Sequence, residues 1–182
     1  MIVVEGPDGG GKTTLIELLK VELGLPVAPR VVDKDTTTRY DMKAWVDNNL
    51  EEGFQPMIFD RHRLISETIY GPILRYNQQP GLTDTKWLAP RLRRFYEIEP
   101  ILIYCIPSWA AVFTHIEHDS DNDAVREKME AIYAAYVARA ALDHAFAPGI
   151  VKIWDYEKSL TIDGKPAWLE FIKTHIHERI AA

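Results

Sequence analysis

Residues Gly6-Pro7-Asp8-Gly9-Gly10-Gly11-Lys12-Thr13 fit G-x-x-x-x-G-K-[ST] at every fixed position. No other stretch of the chain restricts its fold so strongly. Ile2-Val3-Val4-Glu5 runs into the motif as a short apolar strand, and Ile16, Leu19 and Leu23 recur behind it at helical spacing. A glycine-rich loop between a strand and a helix lets backbone N–H groups point inward and join the positive end of the helix dipole around a phosphate. At average residue usage a chance match in a chain of this length is on the order of one in a few hundred, so the loop is read as a phosphate cradle. Gly6, Asp8, Gly9, Gly10, Gly11, Lys12, Thr13 and Thr14 are the expected nucleotide-binding residues. Within them Lys12 is predicted to reach the β- and γ-phosphates of ATP, and the Thr13 hydroxyl to ligate Mg²⁺.

The remaining pattern alternates strands with helices. Arg39 to Leu50 predicts a helix with Met42, Trp45 and Val46 on one face, and Met57-Ile58-Phe59 a buried strand closed by Asp60. Helical spacing returns over Leu64 to Leu74 and over Thr83 to Glu97, where Pro90 predicts a break or kink. Ile101 to Ile106 reads as a central strand, and a helix starts near Trp109. The polar stretch His115 to Asp123 is expected to interrupt the chain before a long helix carrying Val125, Met129, Ile132, Tyr136 and Ala140 on one stripe. Ile150 to Trp154 is the last strand, and Leu169, Ile172, Ile176 and Ile180 mark a closing helix. Such alternation predicts an α/β fold with a central parallel sheet and helices on both faces, in three layers. Ligands in these folds lie at the carboxyl ends of the strands. With no internal repeat or linker, residues 1–182 are expected to form one domain.

Charge and cysteine usage narrow the partners and the compartment. The chain has 182 residues with 21 Lys and Arg against 27 Asp and Glu, a net charge of −6, which excludes a uniformly basic nucleic-acid-binding surface. Asp60 to Arg94 is locally basic, with seven cations and three acids, so a polynucleotide backbone is one candidate partner for that segment. Cys105 is the single cysteine and reads as a core thiol. No apolar run approaches the ~20 residues of a membrane span, and no secretory leader pattern opens the sequence, so a cytoplasmic protein without membrane contact is expected.

Asp60-Arg61-His62 sits at the end of the strand that holds Met57 to Phe59, which places it beside the expected γ-phosphate. A carboxylate there can hold Mg²⁺ or take a proton from an attacking hydroxyl, and an arginine can pair with the transferring or accepting phosphate. Lys12, Asp60 and Arg61 are therefore the candidate catalytic residues, with Thr13 and Asp60 the candidate metal ligands.

Glu5-Gly6-Pro7-Asp8-Gly9-Gly10-Gly11-Lys12-Thr13-Thr14, together with Phe59-Asp60-Arg61-His62 and Ser66, resembles the thymidylate kinase and deoxynucleoside kinase group. Pro100 to Pro107 is similar to the strand that precedes the lid helices in that group, although Cys105 stands where thymidylate kinases usually have aspartate. The resemblance implies a P-loop kinase that moves the γ-phosphoryl group of ATP, with Mg²⁺, to a (deoxy)nucleoside monophosphate. It implies that Asp8 approaches the acceptor sugar, that Arg61 and Ser66 serve the acceptor end, and that a lid spans about 115–128. The group also uses an arginine to grip the acceptor phosphate and another in the loop or lid; this sequence offers Arg39 or Lys43 for the first and Arg126 for the second. Two other readings keep the loop and change the partner: a kinase acting on a hydroxyl of a modified base or end of DNA, and a nucleotide-binding ATPase or switch without an organic acceptor. A homodimer is compatible with each.

Overall fold

Four short strands form the centre of the computed structural model, which describes residues 1–29, 42–74, 84–117, 123–158 and 165–181. They are β1 (Ile2–Glu5), β2 (Ile58–Asp60), β3 (Ile101–Cys105) and β4 (Val151–Trp154), all parallel and ordered β2-β1-β3-β4. The register pairs Val4 with Asp60 and with Ile103, so the end of β1 that leads into the glycine loop lies between the ends of β2 and β3. Beyond β2 the chain adds a single parallel bridge at Val27: the Ile58 N–H donates to the Pro26 carbonyl at 2.9 Å, and the Ala28 N–H donates to the Ile58 carbonyl at 2.7 Å. That contact covers part of the β2 edge and has no hydrophobic run in the sequence to announce it.

Seven helices connect the described strands: α1 (Lys12–Leu23), α2 (Met42–Glu52), α3 (Arg63–Leu74), α4 (Thr85–Glu97), α5 (Trp109–Glu117), α6 (Asp123–Phe146) and α7 (Leu169–Ala181). Side chains alternate across the sheet, as the two-residue period of a strand requires. Ile2, Val4, Ile58, Ile101, Ile103 and Cys105 pack with Leu15 and Leu19 of α1 and Ile172 and Ile176 of α7. Val3, Phe59, Leu102 and Tyr104 face the other way, into a larger core with α2 to α6. Both faces are buried, which is why these strands read as continuous apolar runs. The expected three-layer α/β arrangement is present.

Several boundaries differ from the sequence reading. Pro90 does not break α4; it stands exposed on the outer face, early in the helix, where its missing N–H leaves one carbonyl of the first turn to solvent. His115 to Glu117 belong to α5 and do not begin an interruption, because Val112 and Ile116 keep one apolar face of that helix buried. Ile180 is 54% exposed although it continues the apolar stripe of α7. The predicted start of α2 at Arg39 lies outside the described residues, as does 118–122 within the expected lid.

Candidate active site

The turn from β1 into α1 is shaped by glycines whose neighbours leave no room for a side chain. Gly11 caps α1 at φ 82°, and a Cβ there would stand 2.8 Å from the Tyr156 ring. Gly9, at φ 75°, faces the Val112 carbonyl and His115 of α5 at 2.9 and 3.3 Å from where its Cβ would be. Left-handed backbone and close approach therefore demand glycine at both positions for separate reasons. The Gly10 N–H donates to the Pro7 carbonyl at 3.2 Å and closes the turn.

A cavity of about 830 Å³ opens over this loop, lined by Asp8, Gly9, Gly11, Lys12, Thr13, Thr14, Asp60, His115, Ile116, Trp154 and Tyr156. Its floor is the loop and the start of α1, and its walls come from the ends of β2 and β4 and from α5. Thr13 and Thr14 are exposed within it. Lys12 Nζ donates to the Pro7 carbonyl at 2.6 Å and lies 3.9 Å from Asp8. Burial, and then the nearby Arg61 charge, lower the Lys12 ammonium to about 8. A phosphate arriving in the cavity restores preference for the charged amine.

Asp60 ends β2 opposite the loop, and its Oδ1 is buried with no hydrogen-bond partner among the described residues. A buried carboxylate oxygen without a donor is costly unless something positive meets it. With the Thr13 hydroxyl lining the same cavity, the donor set is hard oxygen, which fits Mg²⁺ bound through one or two protein ligands and phosphate oxygens.

Arg61 takes a left-handed backbone at φ 66°. Its Nη2 donates to the Gly6 carbonyl at 3.2 Å, to Asp8 Oδ1 at 2.5 Å and to the Tyr70 hydroxyl at 2.7 Å, and the guanidinium lies 4.8 Å from the centre of the Tyr70 ring. The Tyr70 hydroxyl in turn donates to Asp8 Oδ2 at 3.2 Å. Burial works to raise the Asp8 carboxyl, but Arg61, Lys12 and Tyr70 together outweigh it and hold the group below its usual range. The structure thus joins Gly6, Asp8 and Lys12 of the loop to Asp60 and Arg61 across one cleft.

Other predicted residues lie elsewhere. Ser66 is buried on α3 and its Oγ donates to the His62 carbonyl at 3.3 Å, within the first turn of its own helix. Arg126 is exposed on α6 and paired with Asp123 at 2.9 Å. Neither lines the cavity. Arg39 falls outside the described residues. The basic stretch from Asp60 to Arg94 is not an open cationic stripe where it is described: Arg63 pairs with Glu67, Arg91 with Asp47 of α2, and Arg93 and Arg94 with Glu97. Counting acids only inside 60 to 94 misses Asp47 and Glu97, which the fold and the helix turn bring alongside.

Sequence reasoning also missed residues that the structure gathers around the cleft. The sequence places Tyr136 only on the apolar stripe of its helix and His115 only in a polar stretch, while no spacing singles out Tyr70 or Tyr156; packing alone brings them to the cleft. His62 is fully buried between Trp45, Phe59 and Phe95, its Nδ1 accepting the Leu64 N–H at 3.2 Å as a cap for α3, and burial lowers its pKa to about 3.

No protein-family model and no curated protein sequence matches the chain. Solved structures do. YorR from Bacillus subtilis, solved in complex with phosphorylated GDP, superposes at TM-score 0.62 and 15% identity over 100% of this chain and 98% of its own. Deoxyadenosine kinase from M. mycoides with bound dCTP gives 0.55 and 15% over 98% of this chain and 100% of its own. The same kinase with its products gives 0.56 and 16% over 98% of each. The chain has the fold of a deoxynucleoside kinase. Because full lengths superpose, the resemblance read from the loop and the Asp60 motif extends to the whole architecture, including the helices that the motifs do not reach.

Proposed function

We propose that this protein is an ATP- and Mg²⁺-dependent kinase that transfers a phosphoryl group to a (deoxy)nucleoside monophosphate. The observation that carries the reading is a complete phosphate loop opening into a cavity of about 830 Å³ that Asp60 lines from the end of β2, with Arg61, the next residue, bonded to Gly6 and Asp8 of the loop. An acid at the end of a second strand serves Mg²⁺ in ATPases and kinases alike; it is Arg61 beside it, tied to Asp8 and Tyr70, that gives a kinase a cation with which to orient an acceptor against the γ-phosphate. Structural neighbours support the same reading: one is a deoxyadenosine kinase solved with dCTP and with dATP, and another holds phosphorylated GDP.

In this reading Lys12 leaves the Pro7 carbonyl to meet the β- and γ-phosphates, and the loop N–H groups between Gly6 and Thr13 hold the chain of phosphates in line. Asp60 and Thr13 would hold Mg²⁺, which would supply positive charge against the phosphates during transfer. Arg61 offers its fork toward the acceptor side of the cleft, with Asp8 and Tyr70 setting its plane. His115, Ile116 and Tyr156 close the cavity above the loop and limit water around the transferring group.

The test is transfer of γ-labelled phosphate from ATP to a panel of deoxynucleoside monophosphates, free nucleosides, and DNA with and without hydroxymethylated bases. Label on a monophosphate is the expected result. Label only on nucleosides or DNA would replace the acceptor, and label only in free phosphate would overturn the kinase reading. Lys12→Ala is expected to lower transfer by at least about a thousandfold while leaving the unfolding transition intact.

A further inference from the structure

Glu5 is the last residue of β1, fully buried, and three parts of the chain meet at its carboxylate. The backbone N–H of His62 donates to Oε1 at 2.7 Å, and the Tyr136 hydroxyl of α6 donates to Oε2 at 3.0 Å. The peptide held in this way is the one that follows Arg61. Arg61 adopts φ 66°, a sparsely populated conformation for a residue with a Cβ, so its backbone has to be held by its surroundings. That backbone turn is also what sends the guanidinium back over Gly6, Asp8 and Tyr70.

We propose that Glu5, steadied by Tyr136, is a positioning residue that locks the Asp60–Arg61 turn in the orientation phosphoryl transfer requires, an inference that rests on the kinase reading of the same cleft. The Glu5 carboxylate does not line the cavity, and so acts through the His62 peptide. A second consequence follows from its surroundings. Arg61 and His62 face it from the turn after β2, Lys12 from α1, Tyr70 from α3, Tyr104 and Cys105 from β3, and Tyr136 from α6. Burial pushes the carboxyl up to about 7, against the His62 peptide, Arg61, Tyr136 and Lys12, which pull it down. The ionised form accepts both hydrogen bonds as charge-assisted ones; the protonated form weakens them. The lock therefore loosens as pH falls through the neutral range.

The experiment follows the amides of His62 and Arg61 in the full chain by ¹⁵N NMR, alongside kcat against pH with the best acceptor. In the wild type both amides are expected to titrate with a midpoint near 7, and kcat to fall below it. Glu5→Gln mimics the protonated side chain, so its amides are expected not to titrate. Its kcat is expected to be flat across about pH 6 to 8 at the wild-type acid level, roughly tenfold below the alkaline plateau, with KM for ATP within about threefold. Tyr136→Phe keeps the ring in the core and removes one donor, and is expected to move both midpoints up by about one pH unit. A His62 amide insensitive to pH, or an acid limb that survives Glu5→Gln, would overturn the proposal. Amides that titrate in a protein transferring phosphate to no acceptor would support the lock and overturn the kinase reading alone.

Discussion

Lys12, Asp60 and Arg61 differ in what a substitution removes. Asp60→Asn keeps shape and loses charge at an oxygen that has no donor among the described residues, so turnover is expected to fall by about a hundredfold while ATP affinity, measured by calorimetry, changes far less. Normal transfer by Asp60→Asn would remove the role given to that carboxylate. Gly11→Ala acts by a different route. Its Cβ would meet the Tyr156 ring at 2.8 Å in a left-handed turn, so nucleotide binding and the unfolding midpoint are both expected to drop. Residue identity at these positions was legible because loop chemistry tolerates few alternatives: glycine for close approach, lysine for phosphate, a carboxylate at a strand end. Ser66 is a position where spacing alone says less. Its spacing from Asp60 matched a motif, but one helical turn aims its hydroxyl at the His62 carbonyl, away from the cleft.

At the scale of elements, α6 is the clearest case of a helix whose stripe was legible and whose polar anchors were not. Tyr136, Met129 and Ile132 fall on the buried face as the period of the sequence requires. Asp143 joins them, only 2% exposed, accepting the Tyr104 hydroxyl at 2.5 Å and Arg139 Nε at 2.8 Å, while Arg139 also donates to the Tyr96 hydroxyl at 3.2 Å. This chain of groups ties α6 to β3 and α4. Asp143→Ala would leave the arginine and a tyrosine hydroxyl buried without their shared acceptor, and urea unfolding is expected to show a loss of about 3 to 5 kcal/mol. The Arg91–Asp47 pair between α4 and α2 lies at the surface, and Asp47→Ala is expected to cost no more than about 1 kcal/mol. Equal losses at the two sites would mean that burial is not what separates them. Pro90 carries the complementary lesson: proline predicts a break only where its missing N–H and ring cannot be accommodated, and an exposed early turn accommodates both.

For the molecule as a whole, Glu5 couples the cleft to stability. Its carboxyl has an ordinary value of 4.5 and is raised by burial to about 7, so between those values the folded chain binds more protons than the unfolded one. Stability from this group is fully present below about 4.5 and is lost as pH rises through about 7. The loss is on the order of 3 kcal/mol. Glu5→Gln is therefore expected to be more stable than the wild type at alkaline pH and to flatten the pH dependence of the denaturation midpoint; a less stable variant with unchanged pH dependence would contradict this. A side chain retained at such a cost is consistent with a positioning role at the cleft. The sequence by itself determined the phosphate loop, the strand that leads into it, the Asp60-Arg61 pair and the alternation that makes a parallel sheet, because each depends on local geometry or on a short period. Packing decided that Arg91 pairs with Asp47, which tyrosines and histidines face the cleft, and that Glu5 reaches the turn after β2. Those depend on residues far apart in the chain meeting in space, as His62 and Tyr136 do at a carboxylate 57 and 131 positions away, and no spacing within a single element encodes such meetings.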